Sequence, residues 1–113
     1  MFFTISADVM IDSTNLRLYF GFGEAIFNWE KKPTELRLID PSDHKWFSVA
    51  MKGKVEPKKF HHIQWIFKPT QTRIVVDNEE RYTRTADYSK TRGRVAIGPA
   101  WKSKLTIKNI SID

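Results

Sequence analysis

Apolar and polar residues alternate along this chain with a period of two. Phe3, Ile5, Ala7, Val9 and Ile11 alternate with Thr4, Ser6, Asp8 and Met10, which predicts a long first strand with one buried face. Asp12-Ser13-Thr14-Asn15 is a turn cluster, rich in side chains that bond nearby backbone. Residues 16–40 then hold three alternating runs joined by two turn signals, Gly21-Phe22-Gly23 and Lys31-Lys32-Pro33-Thr34. Leu16, Leu18 and Phe20 point one way, with Arg17 and Tyr19 opposite. Ala25, Phe27 and Trp29 oppose Asn28 and Glu30. Leu36 and Leu38 oppose Glu35, Arg37 and Ile39. Paired as an antiparallel meander, these runs make one apolar wall. The other face gathers Arg17, Tyr19, Asn28, Glu30, Glu35 and Arg37.

The same period continues. Asp40-Pro41-Ser42-Asp43 is a turn, and Trp46, Ser48 and Ala50 alternate with Phe47, Val49 and Met51 in a strand apolar on both sides. Residues 53–59 form a polar loop containing Pro57. Ile63, Trp65 and Phe67 share one face of a strong strand, and His62, Gln64 and Ile66 the other. After Pro69-Thr70-Gln71, Thr72, Ile74 and Val76 alternate with Arg73, Val75 and Asp77. Asp77-Asn78 stands where a tight hairpin turn belongs, because Asn tolerates positive φ. A short strand around residues 81–84 returns. Residues 85–93 read as a loop, with room for one helical turn near residues 86–89. Another strand spans residues 94–100. Leu105 and Ile107 share a parity and Ile110 and Ile112 the opposite one, so a bulge near Lys108-Asn109 restores a single buried face.

No segment carries a helical period over 11 or more residues. Nine or so short strands with turns every ~8–12 residues predict an all-β fold, a two-sheet antiparallel jelly-roll β-sandwich. Its expected core is Ile5, Val9, Leu18, Phe20, Phe27, Trp29, Leu36, Leu38, Ile63, Trp65, Ile74, Val76, Ile97 and Ile107.

A length of 113 residues suits one domain, spanning residues 1–113. Its abrupt start and its finish in a strand-like pattern suggest excision from a longer protein. Hydrophobic content of 41% and aromatic content of 13% are enough for a packed core. There is no cysteine, and Met1-Phe2-Phe3 lacks the basic region and cleavage site of a leader. Both features point to a reducing, cytoplasmic compartment. No apolar run is long enough to span a membrane. The net charge of +6 is dispersed, with no tract of five like charges, which fits solubility better than direct nucleic-acid binding.

Several motifs, in order, carry a resemblance: His61-His62-Ile63-Gln64-Trp65-Ile66, Ile74-Val75-Val76-Asp77-Asn78, Val95-Ala96-Ile97-Gly98-Pro99, and the closing Leu105-Thr106-Ile107-Lys108-Asn109-Ile110-Ser111-Ile112. This order resembles the concanavalin A-like lectin/glucanase superfamily, close to its laminin G-like members. Here Asp77-Asn78 replaces that family's Asp-Gly turn, and Phe60-His61 replaces its Trp-His pair. The stretches Leu16–Gly21, Asn28-Trp29-Glu30 and Glu35–Pro41 are also similar to accessory jelly rolls that accompany helix-turn-helix transcriptional regulators in some bacteria. That resemblance implies a sensing or protein-interaction module beside a covalently linked DNA-binding domain.

The superfamily's glucanases carry Glu-x-Asp-x-x-Glu, whose alternating carboxylates share a face; this chain has no such spacing. There is no Gly-x-Ser-x-Gly elbow and no His-x-His pair, so neither an enzyme nor a metal site is expected, and no cofactor. Asp40 and Asp43 suit an Asp-Pro turn better than a calcium site. Saccharide binding needs an aromatic platform and polar groups that match hydroxyls. The expected ligand residues are Arg17, Tyr19, Asn28, Glu30, Arg37 and Trp101, with Trp46 as a further platform. The competing reading of that face is a cross-strand lattice of Arg17, Arg37, Glu30 and Glu35.

Overall fold

The computed structural model describes residues 3–113. Ten strands form two five-stranded antiparallel sheets. They are β1 (Phe3–Ile11), β2 (Leu16–Phe20), β3 (Gly23–Phe27), β4 (Leu36–Ile39), β5 (Trp46–Val49), β6 (His61–Lys68), β7 (Gln71–Val76), β8 (Glu79–Thr85), β9 (Val95–Pro99) and β10 (Leu105–Ile112). One sheet runs β10-β1-β6-β7-β8 and the other β5-β4-β3-β2-β9. No helix is long and apolar enough to cross a membrane among the described residues.

Alternation decides which residues lie between the sheets. Ile5, Ala7, Val9 and Ile11 of β1 are buried against Leu16, Leu18 and Phe20 of β2, with Leu36, Leu38, Ile63, Trp65 and Ile74 completing the core. Phe3, Phe20 and Phe67 form a mutual aromatic cluster with ring centroids 4.9–5.0 Å apart. The Asp77-Asn78 turn has positive φ at both residues, and Val76 pairs directly with Glu79, giving the expected two-residue hairpin. The bulge also lies where the parity reversal puts it. The β1–β10 register shifts between Ser6 and Asp8, opposite Ser111 and Lys108, and Asn109 takes φ 54°. Ile107 and Ile112 therefore pair on the same side as Val9 and Ile5, but the expected buried face is not restored: Ile110 and Ile112 are 56% and 58% exposed on this edge strand.

Three expected core positions need correction. Ile107 is 37% exposed and Ile97 only part-buried, because β10 and β9 are edge strands with no neighbour on one side. Trp29 leaves the core altogether. β3 ends at Phe27, and Asn28 takes φ 54°, which breaks the alternation and turns Trp29 outward. Residues 86–89 contain no helical turn; a single turn closes there by a Thr91-to-Tyr88 backbone bond at 3.1 Å.

A buried carboxylate ties the two sheets together. Asp40 is fully buried at the end of β4. It accepts hydrogen bonds from the Tyr82 hydroxyl at 3.0 Å, the Tyr88 hydroxyl at 2.7 Å, and the Ser42 backbone N–H and hydroxyl. Arg84 lies 3.3 Å away and grips Asp43 through both terminal nitrogens, at 3.0 and 2.7 Å. That grip holds the Asp43 carboxyl down at about 2. Asp40 and Asp43 are thus committed to side chains of the protein itself, in the turn geometry their Asp-Pro setting implies.

Burial first, then the charge of Asp40 and its hydrogen bonds, pushes the Tyr82 and Tyr88 hydroxyls well above the ordinary phenol value. The unfolded chain loses these protons near pH ~10 while the native state keeps them. The native state then binds more protons, so stability is full below pH ~10 and falls as the pH rises beyond it. We expect denaturation midpoints to fall steadily above pH ~10. The fall should flatten in the Tyr82→Phe/Tyr88→Phe double variant; an unchanged slope in that variant would exclude the mechanism.

Candidate functional site

The outer face of the β5-β4-β3-β2-β9 sheet carries two cross-strand rows. Register places Gly98, Arg17, Ile26, Arg37 and Ser48 in one row, and Ala96, Tyr19, Glu24, Ile39 and Trp46 in the next. Arg17 and Arg37 therefore share a face, as alternation predicts, two strand spacings or roughly 10 Å apart. Between them lies Ile26, only 4% exposed despite facing outward.

Arg37 is the focus of this face. Its guanidinium carbon sits 4.7 Å from the Trp29 ring centroid and 4.6 Å from that of Trp46. Two indoles thus flank one cation, an arrangement stabilised by the ring quadrupoles. Trp46 is 54% exposed on edge strand β5, and Ser48, directly across from Arg37, is exposed as well. No hydrogen bond or ion pair engages the Arg37 guanidinium among the described residues.

Arg17 is placed differently. It donates to Asn15 Oδ1 through Nε at 3.1 Å and Nη2 at 3.0 Å, and lies 3.8 Å from Glu24. Asn15, fully buried, passes the interaction on by donating from Nδ2 to Glu30 Oε2 at 2.8 Å. Tyr19 is half-buried; burial, with the Glu24 charge, pushes its hydroxyl upward, so it remains a donor at neutral pH.

Asn28 is 4% exposed and both ends of its amide are taken. Its Nδ2 donates to the Val55 carbonyl and its Oδ1 accepts from the Val55 N–H, each at 2.8 Å. It therefore anchors the 53–59 loop beneath the face and presents no polar atom to solvent. The same loop approaches closely at Gly53, whose carbonyl accepts from Asn28 N–H at 2.9 Å; a Cβ there would overlap the Glu35 carbonyl. His61 braces the loop from the other sheet, with Nδ1 2.6 Å from Asp77 and Nε2 2.9 Å from the Glu56 carbonyl.

Trp101 is 64% exposed on the turn between β9 and β10, and its carbonyl accepts from the Thr14 hydroxyl at 3.4 Å. Since β9 and β5 are opposite edges of the sheet, Trp101 stands apart from the Arg37 group. The expected Arg/Glu lattice does not form among the described residues: Arg17 meets Glu24 instead, and Glu30 meets Asn15. Glu35 lies 3.8 Å from Lys32, and Arg37 takes no part. Trp29, Asn15 and Ser48 are the members sequence reading missed. Asn28 is the one local signal for Trp29, since an Asn within an alternating run marks a position that tolerates φ > 0.

No family model matches the chain, and no curated protein does. Similarity to solved structures is clear at the level of fold. Sheep galectin-11, solved in complex with glycerol, superposes with TM-score 0.67 at 8% identity, over 98% of this chain and 89% of the galectin. A Trypanosoma rangeli sialidase matches with TM-score 0.65 at 18% identity, over 98% of this chain but 20% of the sialidase. The carbohydrate-binding module CBM66 from Bacillus subtilis matches with TM-score 0.50 at 13% identity, over 99% of this chain and 74% of the module. The fold is thus a jelly-roll β-sandwich, shared with these structures. The resemblance to accessory domains of transcriptional regulators has no counterpart among these structures.

Proposed function

We propose that this chain is a non-catalytic recognition module that binds a saccharide across the outer face of the β5-β4-β3-β2-β9 sheet. The observation that carries the reading is Arg37, held between Trp29 and Trp46 on an exposed face with its hydrogen-bonding edge unspent. Trp46 and Tyr19 offer apolar surface to a sugar ring, and Arg37, Ser48 and Glu30 offer donors and acceptors to its hydroxyls. Asn28 acts from beneath by fixing the 53–59 loop, and Asn15 by bonding both Arg17 and Glu30. Trp101, at the far edge, suits contact with an extended chain more than with a single ring.

The acids on this face favour binding over hydrolysis. Glu24 lies against Arg17 and Glu30 accepts from Asn15, so both carboxylates are engaged within the protein. The similarity to galectin-11 and CBM66 supports a lectin-like scaffold for this reading. A glycan array tests it. Wild type should give discrete hits, and Arg37→Ala should weaken each by roughly tenfold to a hundredfold, the worth of a charged hydrogen bond. The thermal midpoint should fall by only several degrees, because the change removes two cation–π contacts and no hydrogen bond among the described residues. Silence across the array would sink the saccharide reading and leave a protein-interaction role.

A further inference from the structure

Given the saccharide reading above, on which this inference rests, the charge balance of the face narrows the ligand class. Among the described residues, the other arginines of the sheets are spent within the protein. Arg17 lies by Glu24 and Asn15, Arg73 is 2.7 Å from Glu80, Arg81 is 2.6 Å from Glu79, and Arg84 is clamped to Asp43. Arg37 has no acid and no carbonyl partner among the described residues. Its positive charge is therefore uncompensated where the two indoles hold it.

The stacking also fixes how that charge can be approached. Two indoles lie within 4.7 Å of the guanidinium carbon, and the N–H donors have no hydrogen-bond partner among the described residues. A planar fork presented edge-on matches the two oxygens of a carboxylate. The same chain already makes that pairing once, where Arg84 meets Asp43 through two nitrogens at 3.0 and 2.7 Å. Neighbouring Ile26 and the indoles displace water from around the fork, which strengthens a charge-assisted bond there. The net charge of +6 adds long-range attraction for an anion.

We propose that the ligand is an acidic saccharide, a uronic-acid oligomer or related carboxylated sugar, whose carboxylate seats bidentate on Arg37 between Trp29 and Trp46. A hydroxyl or ring oxygen of the same sugar meets Ser48.

Calorimetry on matched pairs tests this. Each uronic-acid oligosaccharide is compared with the same oligosaccharide after reduction of its carboxyls to primary alcohols. The acidic member should bind roughly tenfold tighter or more, by a margin that shrinks with added salt. Arg37→Met, which keeps an unbranched chain between the indoles, should erase that margin and leave the weaker affinity for the neutral member. Arg37→Lys should restore part of it, since charge returns without the fork. Equal binding of the two members, or a margin that survives in Arg37→Met, would overturn the inference while leaving the saccharide reading intact. Tighter binding of a sulfated neutral oligosaccharide or of an oligoglutamate peptide would overturn it as well. Failure of every saccharide, neutral or acidic, would remove the functional reading itself.

Discussion

Replacing Asp40 by alanine is expected to cost about 3–5 kcal/mol of folding stability, the range for removing one member of a buried charged network. The carboxylate is fully buried and serves Tyr82, Tyr88 and Ser42 at once, with Arg84 at 3.3 Å. Without it, two buried phenol hydroxyls lose their acceptor, and each such group costs about 1–3 kcal/mol. The loss should appear as a fall of roughly 10–20 °C in the thermal midpoint of a domain this size. Asp40→Asn keeps one acceptor oxygen and should fall between wild type and Asp40→Ala. A loss below about 1 kcal/mol in Asp40→Ala would mean that the network does not hold the sheets together.

Trp65→Ala should be comparably damaging, at about 3–5 kcal/mol, because it empties the largest fully buried side chain. The indole is 1% exposed, packs 5.2 Å from the Phe67 ring and donates to Thr72 Oγ1 at 2.9 Å. Thr72 in turn donates to the Ile66 carbonyl, so its hydroxyl keeps one bond after the change. The cost is therefore mainly lost packing. Trp65→Phe should recover more than half of it. Equilibrium urea unfolding checks both, and equal losses in the two variants would shift the weight from packing to the Thr72 hydrogen bond.

How much of this was legible in the sequence follows from what alternation can encode. A period of two reports which side of a strand a residue takes, so the inward sets of β1, β2, β4, β6 and β7 could be read directly. So could the bulge at Lys108-Asn109, because one extra residue reverses parity, and the Asp77-Asn78 hairpin, because both residues tolerate positive φ. Alternation says nothing about what happens when the backbone leaves the β region. Asn28 does so at φ 54°, and Trp29 moves from the expected core to the face of Arg37. That single residue separates a lattice of ion pairs from a cation held between two indoles. Pairings across long sequence gaps were equally out of reach. The Asn28 amide meets Val55, 27 residues on, and Asp40 meets Tyr88, 48 residues on. No local pattern at Asn28 or Tyr88 announces either contact. The shared face of Arg17 and Arg37 was readable from parity; their different partners were not.

Where a saccharide lands can be read directly, because the chain carries its own reporters. Its four tryptophans give four indole N–H resonances. Trp29 and Trp46 flank Arg37, Trp101 lies at the opposite edge of the sheet, and Trp65 is sealed in the core. Titration of the isotope-labelled protein with an oligosaccharide that binds should shift the Trp29 and Trp46 signals together, saturably, and leave Trp65 in place. Saturable binding that leaves both Trp29 and Trp46 unmoved would contradict the assignment of this face.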